Sequence, residues 1–311
     1  MSQRFPSVAI IGATGNVGRL ILAALQSATP PFERITVLTR SSSTPPDPSL
    51  LTNPNTHIVT VDYTSRDSLV SALHGVDAVV SAIATQSVDT QKQIIDAAVE
   101  AGVRFFIPSE FGLANTHPLL RRDFPIFEDK AVIQEYLEQY RLQGKIDYAL
   151  IFVGLFLDWG MDGFVIDVRN KKVGFWDGGE RPISMTTMGS IGVAVRGVLE
   201  GKVGSQREVR VKDVNISQRR LFELACEVLG SDGWEVRDVD TLEAIKTAQR
   251  KMEEGTAELD DIYAFVYRAS TAPQYGQPWG DGEDDSEKLE LRVWTDDDIR
   301  RLIREVAGLD K

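Results

Sequence analysis

Three observations predict an α/β fold built on a doubly wound parallel sheet. Short, near-continuous apolar runs rich in Val and Ile recur through the first half of the 311-residue chain, amphipathic segments separate them, and a spaced glycine triplet follows the first run at once. Continuous apolar runs suit strands covered on both faces, and strand–helix alternation places helices on both sides of a parallel sheet.

The expected strands are SVAII (7–11), RITVLT (34–39), HIVTVD (57–62), DAVVSAI (77–83), VRFFIP (103–108) and DYALIFV (147–153). Amphipathic helices are expected near 16–27, 65–74, 87–101 and 126–143. The stretch 41–56, SSSTPPDPSLLTNPNT, carries four prolines and reads as a loop instead. Beyond about residue 154 the pattern loosens. Residues 155–189 are rich in glycine, a helix is expected at 190–200, and a strand at 207–213 returns to the sheet. Helices follow at 217–229 and 241–254, and 255–290 mixes aromatics with the acidic loop WGDGEDDSEK, read as a solvated surface turn. The chain closes on TDDDIRRLIREV, where Thr295 and Asp298 fit a capping box. This divides the chain into residues 1–154, a dinucleotide-binding unit, and 155–311, mainly a smaller α+β lid over the sheet's carboxyl edge.

Composition narrows the class. A net charge of −12 argues against nucleic acid or an anionic membrane as partner, since either favours a basic face. One cysteine, Cys226, rules out an intrachain disulfide framework, and three scattered histidines (His57, His74, His117) write no zinc motif, so no metal is expected. The N-terminus enters a strand without a signal peptide's apolar core, and YALIFVGLFL (148–157) is too short to span a bilayer. The expectation is a cytoplasmic protein, a monomer or homodimer, whose partner is a small molecule.

The first strand runs into IIGATGNVGRLIL, with glycines at 12, 15 and 18. After a strand and before a helix, this is the Rossmann-type dinucleotide loop: Gly12 for the tight turn, Gly15 for close approach to a pyrophosphate, Gly18 for helix-on-strand packing. The helix N-terminus adds partial positive charge for the phosphates. At the end of the second strand, where NAD-preferring sites place Asp or Glu, the chain reads LTRSSS. Arg40 would attract a 2′-phosphate, with Ser41 and Ser42 donating to it, so NADP(H) is the expected cofactor.

None of the seven tyrosines is followed by Lys four residues later, which excludes the Tyr-x-x-x-Lys proton donor of many reductases on this fold. The segment 126–143 offers another acid. Ile126, Ile133, Leu137 and Tyr140 define its apolar face, and Lys130 points the same way. A lysine there either snorkels to water, finds a partner or lines a cavity. In the last case desolvation lowers its pKa towards useful proton transfer.

A strand running into PSEFG (108–112), with F-x-x-K (127–130) in a helix about twenty residues beyond the strand's end, resembles the isoflavone reductase-like enzymes, atypical short-chain dehydrogenases related to the NmrA-like proteins. The resemblance covers residues 7–160 well and QKQIIDAAVEAGVRFFIPSEFG (91–112) almost throughout. It implies that Lys130 is the catalytic lysine of proton transfer, and that Gly12, Thr14, Gly15, Asn16, Val17 and Gly18 form the pyrophosphate loop. It also implies that Arg40 selects NADPH, that Gln91 and Ser109 line the nicotinamide end, and that Phe156 is a cofactor-facing aromatic. Three positions depart from the family. Gln134 stands where many members carry Arg, Ser190 stands where Asp opens a lid helix, and a second basic residue for the 2′-phosphate is not recognisable.

Other residues keep two readings. His117 is a second acid or a surface histidine; Asp62 and Tyr63 lie near the adenine or serve a turn. Tyr263, Phe265, Tyr267, Tyr275 and Trp279 line an aromatic pocket or fill the core. Glu110 and Phe111 have no role beyond anchoring their loop. The functional expectation is an NADPH-dependent reductase of a small aromatic or conjugated metabolite. Its rivals are a dinucleotide-sensing regulator without turnover, or a non-redox cyclase on the same fold.

Overall fold

The computed structural model describes residues 4–40, 51–84 and 87–309. The first half builds β1 (Ser7–Ile11), α1 (Asn16–Gln26), β2 (Arg34–Arg40), β3 (Thr56–Val61), α2 (Arg66–Leu73), β4 (Ala78–Ser81), α3 (Val88–Glu100) and β5 (Phe105–Ile107). It continues through α4 (Pro118–Asp123), α5 (Glu128–Leu142), β6 (Asp147–Tyr148) and β7 (Leu150–Phe152). Six strands pair in parallel in the order β3-β2-β1-β4-β5-β6. The order reverses between β1 and β4, so a crevice opens there at the strands' carboxyl ends.

Strand residues alternate between two cores. Val8 and Ile10 of β1 pack with Ile21, Leu22 and Leu25 of α1, while Ala9 and Ile11 face Leu69 of α2, Ile94 of α3 and Ile133 and Leu137 of α5. Helices therefore cover both faces, as the continuous apolar runs required.

The second half contains β8 (Leu155–Phe156), α6 (Leu157–Gly160), β9 (Lys172–Trp176), β10 (Pro182–Thr186), α7 (Met188–Leu199), β11 (Glu208–Arg210) and β12 (Val214–Ser217). After them come α8 (Gln218–Leu229), β13 (Glu235–Val239), α9 (Thr241–Glu253), α10 (Leu259–Thr271) and α11 (Asp296–Val306). Two small sheets, β12-β10-β8 and β13-β9, form the strand part of the lid, and Leu155, Phe175, Ile183, Leu221, Phe265 and Ile303 share its core. The halves interleave. Helix α7 packs so closely on α1 that a Cβ on Gly192 would lie 2.5 Å from the Leu20 carbonyl oxygen. Strand β11, within the segment 207–213, pairs in parallel with β7 as a two-stranded sheet beside the six-stranded one.

Two sequence expectations need correction. Helix α10 lies inside the segment read as an irregular mixture. Glu258 and Asp261 close a capping box at its start, and buried Ala264, Phe265, Tyr267 and Ala269 anchor its inner side. The acidic loop is also no free surface turn. Asp284 pairs with Lys212 at 3.1 Å, and Asp285, 5% exposed, accepts from the Arg210 backbone N–H at 3.2 Å. The Asp285 carboxylate thus caps the outer edge of β11 at Arg210, and Leu289 then anchors the loop in the first core.

Among the described residues, no helix is long and apolar enough to cross a membrane, and no group of three or more His, Cys, Asp or Glu side chains could hold a metal.

Candidate active site

The crevice consists of two cavities that share Ala82, Ile83 and Ala84, the residues continuing β4. One, about 390 Å³, is lined by Gly12, Thr14, Gly15, Arg40, Tyr63, Ser87 and Thr90, among others. The other, about 250 Å³, is lined by Asn16, Val17, Ser109, Glu110, Phe111, Lys130 and Phe156 together with the shared segment. The β1–α1 loop borders the first, and the opening residues of α1, Asn16 and Val17, border the second.

Steric space explains the glycines. Gly12 adopts φ 79°, and a Cβ there would lie 2.4 Å from the Ala82 carbonyl oxygen. A Cβ on Gly18 would lie 2.0 Å from the Gly12 carbonyl oxygen, so the helix could not sit against the turn. The N-cap of α1 is Gly15, which brings no side chain to the first-turn N–H groups. Those groups need an external acceptor, and an anion at the helix N-terminus supplies one. The cradle thus fits a dinucleotide pyrophosphate.

At the outer end, Arg40 terminates β2 and is exposed beside the larger cavity. Ser41 and Ser42 lie outside the described residues. Tyr63 joins the cavity wall and donates to the Leu38 carbonyl at 3.4 Å; burial pushes its pKa up to about 12, with Arg40 acting in the opposite direction. Asp62 instead turns the chain, its Oδ1 accepting from Thr64 N and Oγ1 at 2.9 and 2.7 Å.

At the inner end, Lys130 does not snorkel. Its side chain is 19% exposed, and Nζ donates to the Glu110 carbonyl and stands 4.0 Å from Glu110 Oε2. Burial lowers the lysine's pKa while the Glu110 charge acts to raise it. Sequence reasoning gave Glu110 no role beyond anchoring its loop, yet this carboxylate is 3% exposed and its residue lines the inner cavity. Burial raises its pKa, opposed by Lys130 and by hydrogen bonds from Gln134 and Asn115.

The remaining candidates divide. Phe156 and Ser109 line the inner cavity, but the Ser109 hydroxyl donates to the Ile83 carbonyl at 2.7 Å. Gln91 lines neither cavity; its Oε1 accepts the Ser109 backbone N–H at 3.0 Å and so braces the PSEFG loop from behind. His117 is half-buried at the start of α4, lines neither cavity, and its Nδ1 has no hydrogen-bond partner. Ser190 sits at the start of α7, where Thr187 Oγ1 donates to its hydroxyl at 3.0 Å. Of the five lid aromatics, Phe265, Tyr267, Tyr275 and Trp279 are core residues. Tyr263 instead packs at a tilt against Phe164, ring centroids 4.3 Å apart, and meets Trp159, which in turn meets Phe156 at 6.3 Å. An aromatic wall therefore extends outward from Phe156.

The NmrA-like family model matches residues 6–165. An oxidoreductase of Aspergillus flavus, aprR, is 30% identical over 251 residues, spanning 80% of this chain and 82% of its own. A crystal structure of isoflavone reductase superposes with a TM-score of 0.74 at 21% identity, covering 94% of this chain and 98% of that one. The leucoanthocyanidin reductase–NADPH complex of Vitis vinifera reaches the same TM-score at 17% identity, covering 97% and 99%. These two establish the shared fold. With the glycine cradle inside the matched span and more than half of the chain covered by the family model, this chain belongs to the NmrA-like family.

Proposed function

We propose that this chain reduces a small aromatic or conjugated molecule at the expense of NADPH, with Lys130 as general acid. The chain is an NADP(H)-dependent oxidoreductase, in keeping with its oxidoreductase and reductase relatives. One observation carries the reading: the Lys130 ammonium lines the same small cavity as Asn16, Val17 and Phe156, and that cavity runs into the dinucleotide crevice.

The glycine loop would hold the pyrophosphate by backbone N–H groups, and Arg40 would meet the 2′-phosphate. When bound, NADPH supplies a hydride to the acceptor carbon of an enone, imine or quinone-methide-like group. Lys130 gives a proton to the heteroatom on which the charge appears, the imine nitrogen or the oxygen at the far end of the conjugated system, so that one C–H and one O–H or N–H bond form and the amine is left neutral. The wall of Phe156, Trp159, Phe164 and Tyr263 supports an aromatic substrate, because flat faces stack on it while apolar edges displace water.

The test is oxidation of NADPH over a panel of conjugated aromatic carbonyls and quinone methides, comparing wild type with Lys130→Ala. The reading expects turnover that disappears in the variant while NADPH still binds. Equal turnover would remove Lys130 as the acid. No turnover with any substrate, together with equal affinity for oxidised and reduced cofactor, would favour the dinucleotide-sensing regulator.

A further inference from the structure

Lys130 and Glu110 come from elements twenty residues apart, and the loop after β5 is shaped to bring them together. Phe111, a non-glycine residue, adopts φ 27°, a backbone conformation that is strained for a residue with a side chain. The turn leaves the Glu110 carbonyl facing Lys130 Nζ, while its carboxylate lies beneath. Next in the chain, a Cβ on Gly112 would stand 3.3 Å from Nζ, so glycine keeps the space around the ammonium clear.

The carboxylate is fixed by neutral donors. Oε1 accepts from Gln134 Nε2 at 3.0 Å, Oε2 accepts from Asn115 Nδ2 at 3.2 Å, and Gln134 Nε2 also donates to Asn115 Oδ1 at 2.7 Å. This amide clamp satisfies the buried oxygens without cancelling their charge. Other charged groups nearby are engaged elsewhere. Arg121 pairs with Glu128 and Glu135, Arg122 with Asp123, Asp96 accepts from the Tyr136 and Tyr140 hydroxyls, and Asp158 accepts from the Met188 N–H. Asp129 is exposed on α5, and His117 Nδ1 has no partner.

We infer that Glu110 is the positioning residue for Lys130: its carbonyl aims the ammonium into the cavity, and its clamped carboxylate keeps that ammonium charged in a desolvated site. Gln134 belongs to the device because a cation at that position would neutralise the carboxylate and repel the lysine. The consequence for turnover rests on the reductase reading; the charge state of the pair does not.

Burial lowers the lysine's pKa, and Glu110 is the group that opposes it. Removing the carboxylate leaves only the lowering cause. Titration of Lys130 by NMR in the full chain labelled with ε-carbon-13 lysine, assigned through Lys130→Ala, reads this without turnover. In Glu110→Gln the midpoint should fall by about one pH unit or more. Glu110→Asp, which keeps the charge, should recover most of the wild-type midpoint, and Gln134→Arg should lower it although Glu110 is intact. A Glu110→Gln midpoint within about 0.3 unit of wild type overturns the inference. Should Glu110→Gln fail to fold, an unaltered midpoint in Gln134→Arg overturns it equally. For any accepted substrate, the alkaline limb of the rate profile should move with the NMR midpoint. A shifted midpoint in a protein that reduces nothing would leave the Glu110 inference standing and remove the reductase reading.

Discussion

At the β1–α1 end of the crevice the chain works through what it lacks, whereas under α5 it works through what it buries. Gly12, Gly15 and Gly18 contribute backbone N–H groups and empty space, and at Gly12 and Gly18 any added carbon would meet a carbonyl oxygen. The α5 end instead holds an ammonium and a carboxylate out of water, which is unfavourable unless each satisfies the other. The first end tolerates no change of shape. The second should tolerate changes of shape better than changes of charge.

The most severe way to probe that contrast is Gly18→Ala. With its Cβ 2.0 Å from the Gly12 carbonyl oxygen, α1 must move off the turn. We expect a loss of about 3 kcal/mol in stability and no measurable NADPH binding, read by denaturant unfolding and calorimetry. Retained binding would show that the cradle can flex, and the contrast would fail.

Lys130→Ala comes next. It should leave NADPH affinity within about twofold of wild type and reduce turnover about 10³-fold, the scale of a lost general acid. Its pH dependence has a defined sign. The donor is the protonated amine, so activity falls as pH rises through the Lys130 pKa. Burial lowers that pKa, so the alkaline limb should lie below the ordinary lysine range near 10.5. A rate flat through that range would assign the proton to another group.

The two ends also differ in how far sequence reveals them. The glycine triplet is legible because its spacing, the strand before it and the helix after it all serve one local geometry. Lys130 is legible because Ile133 and Leu137 fix the inward face of α5, and both are buried as their spacing required. Glu110 is not legible. Its burial depends on a left-handed Phe111, on Asn115 five residues on and on Gln134 one helix away, and no local pattern encodes that meeting. The lid strands are hidden for a related reason: β9 and β10 are short and lie among glycines, and they pair with β13 and β12 from far along the chain. Helix α10 was missed because its carboxylate-rich start resembles the solvated runs around it, although those carboxylates form its cap.

Arg40→Ala tests a charge at the cradle end, where shape otherwise dominates. The side chain is exposed, so its attraction for a 2′-phosphate is screened. A tenfold loss of NADPH affinity, about 1.4 kcal/mol, with NADH affinity unchanged is the expected result. Equal loss for both cofactors would place Arg40 in the cavity wall without a role in choosing between them.

The smallest effect is expected at Ser109, and it separates two roles that proximity alone confuses. The hydroxyl lines the inner cavity but donates to the Ile83 carbonyl, and Ile83 belongs to the segment both cavities share. The same residue's N–H is held by Gln91 from behind. If Ser109 acts chiefly by tying the PSEFG loop to the end of β4, then Ser109→Ala and Gln91→Ala should act alike. Each should lower stability by about 1 kcal/mol, the net contribution of one partly buried hydrogen bond, and weaken NADPH binding only a few-fold. If instead the hydroxyl engages the cofactor directly, Ser109→Ala should weaken NADPH binding with little loss of stability, while Gln91→Ala does the reverse. Unfolding and binding measured on the same two variants distinguish these patterns, because a brace couples stability to affinity and a direct contact does not.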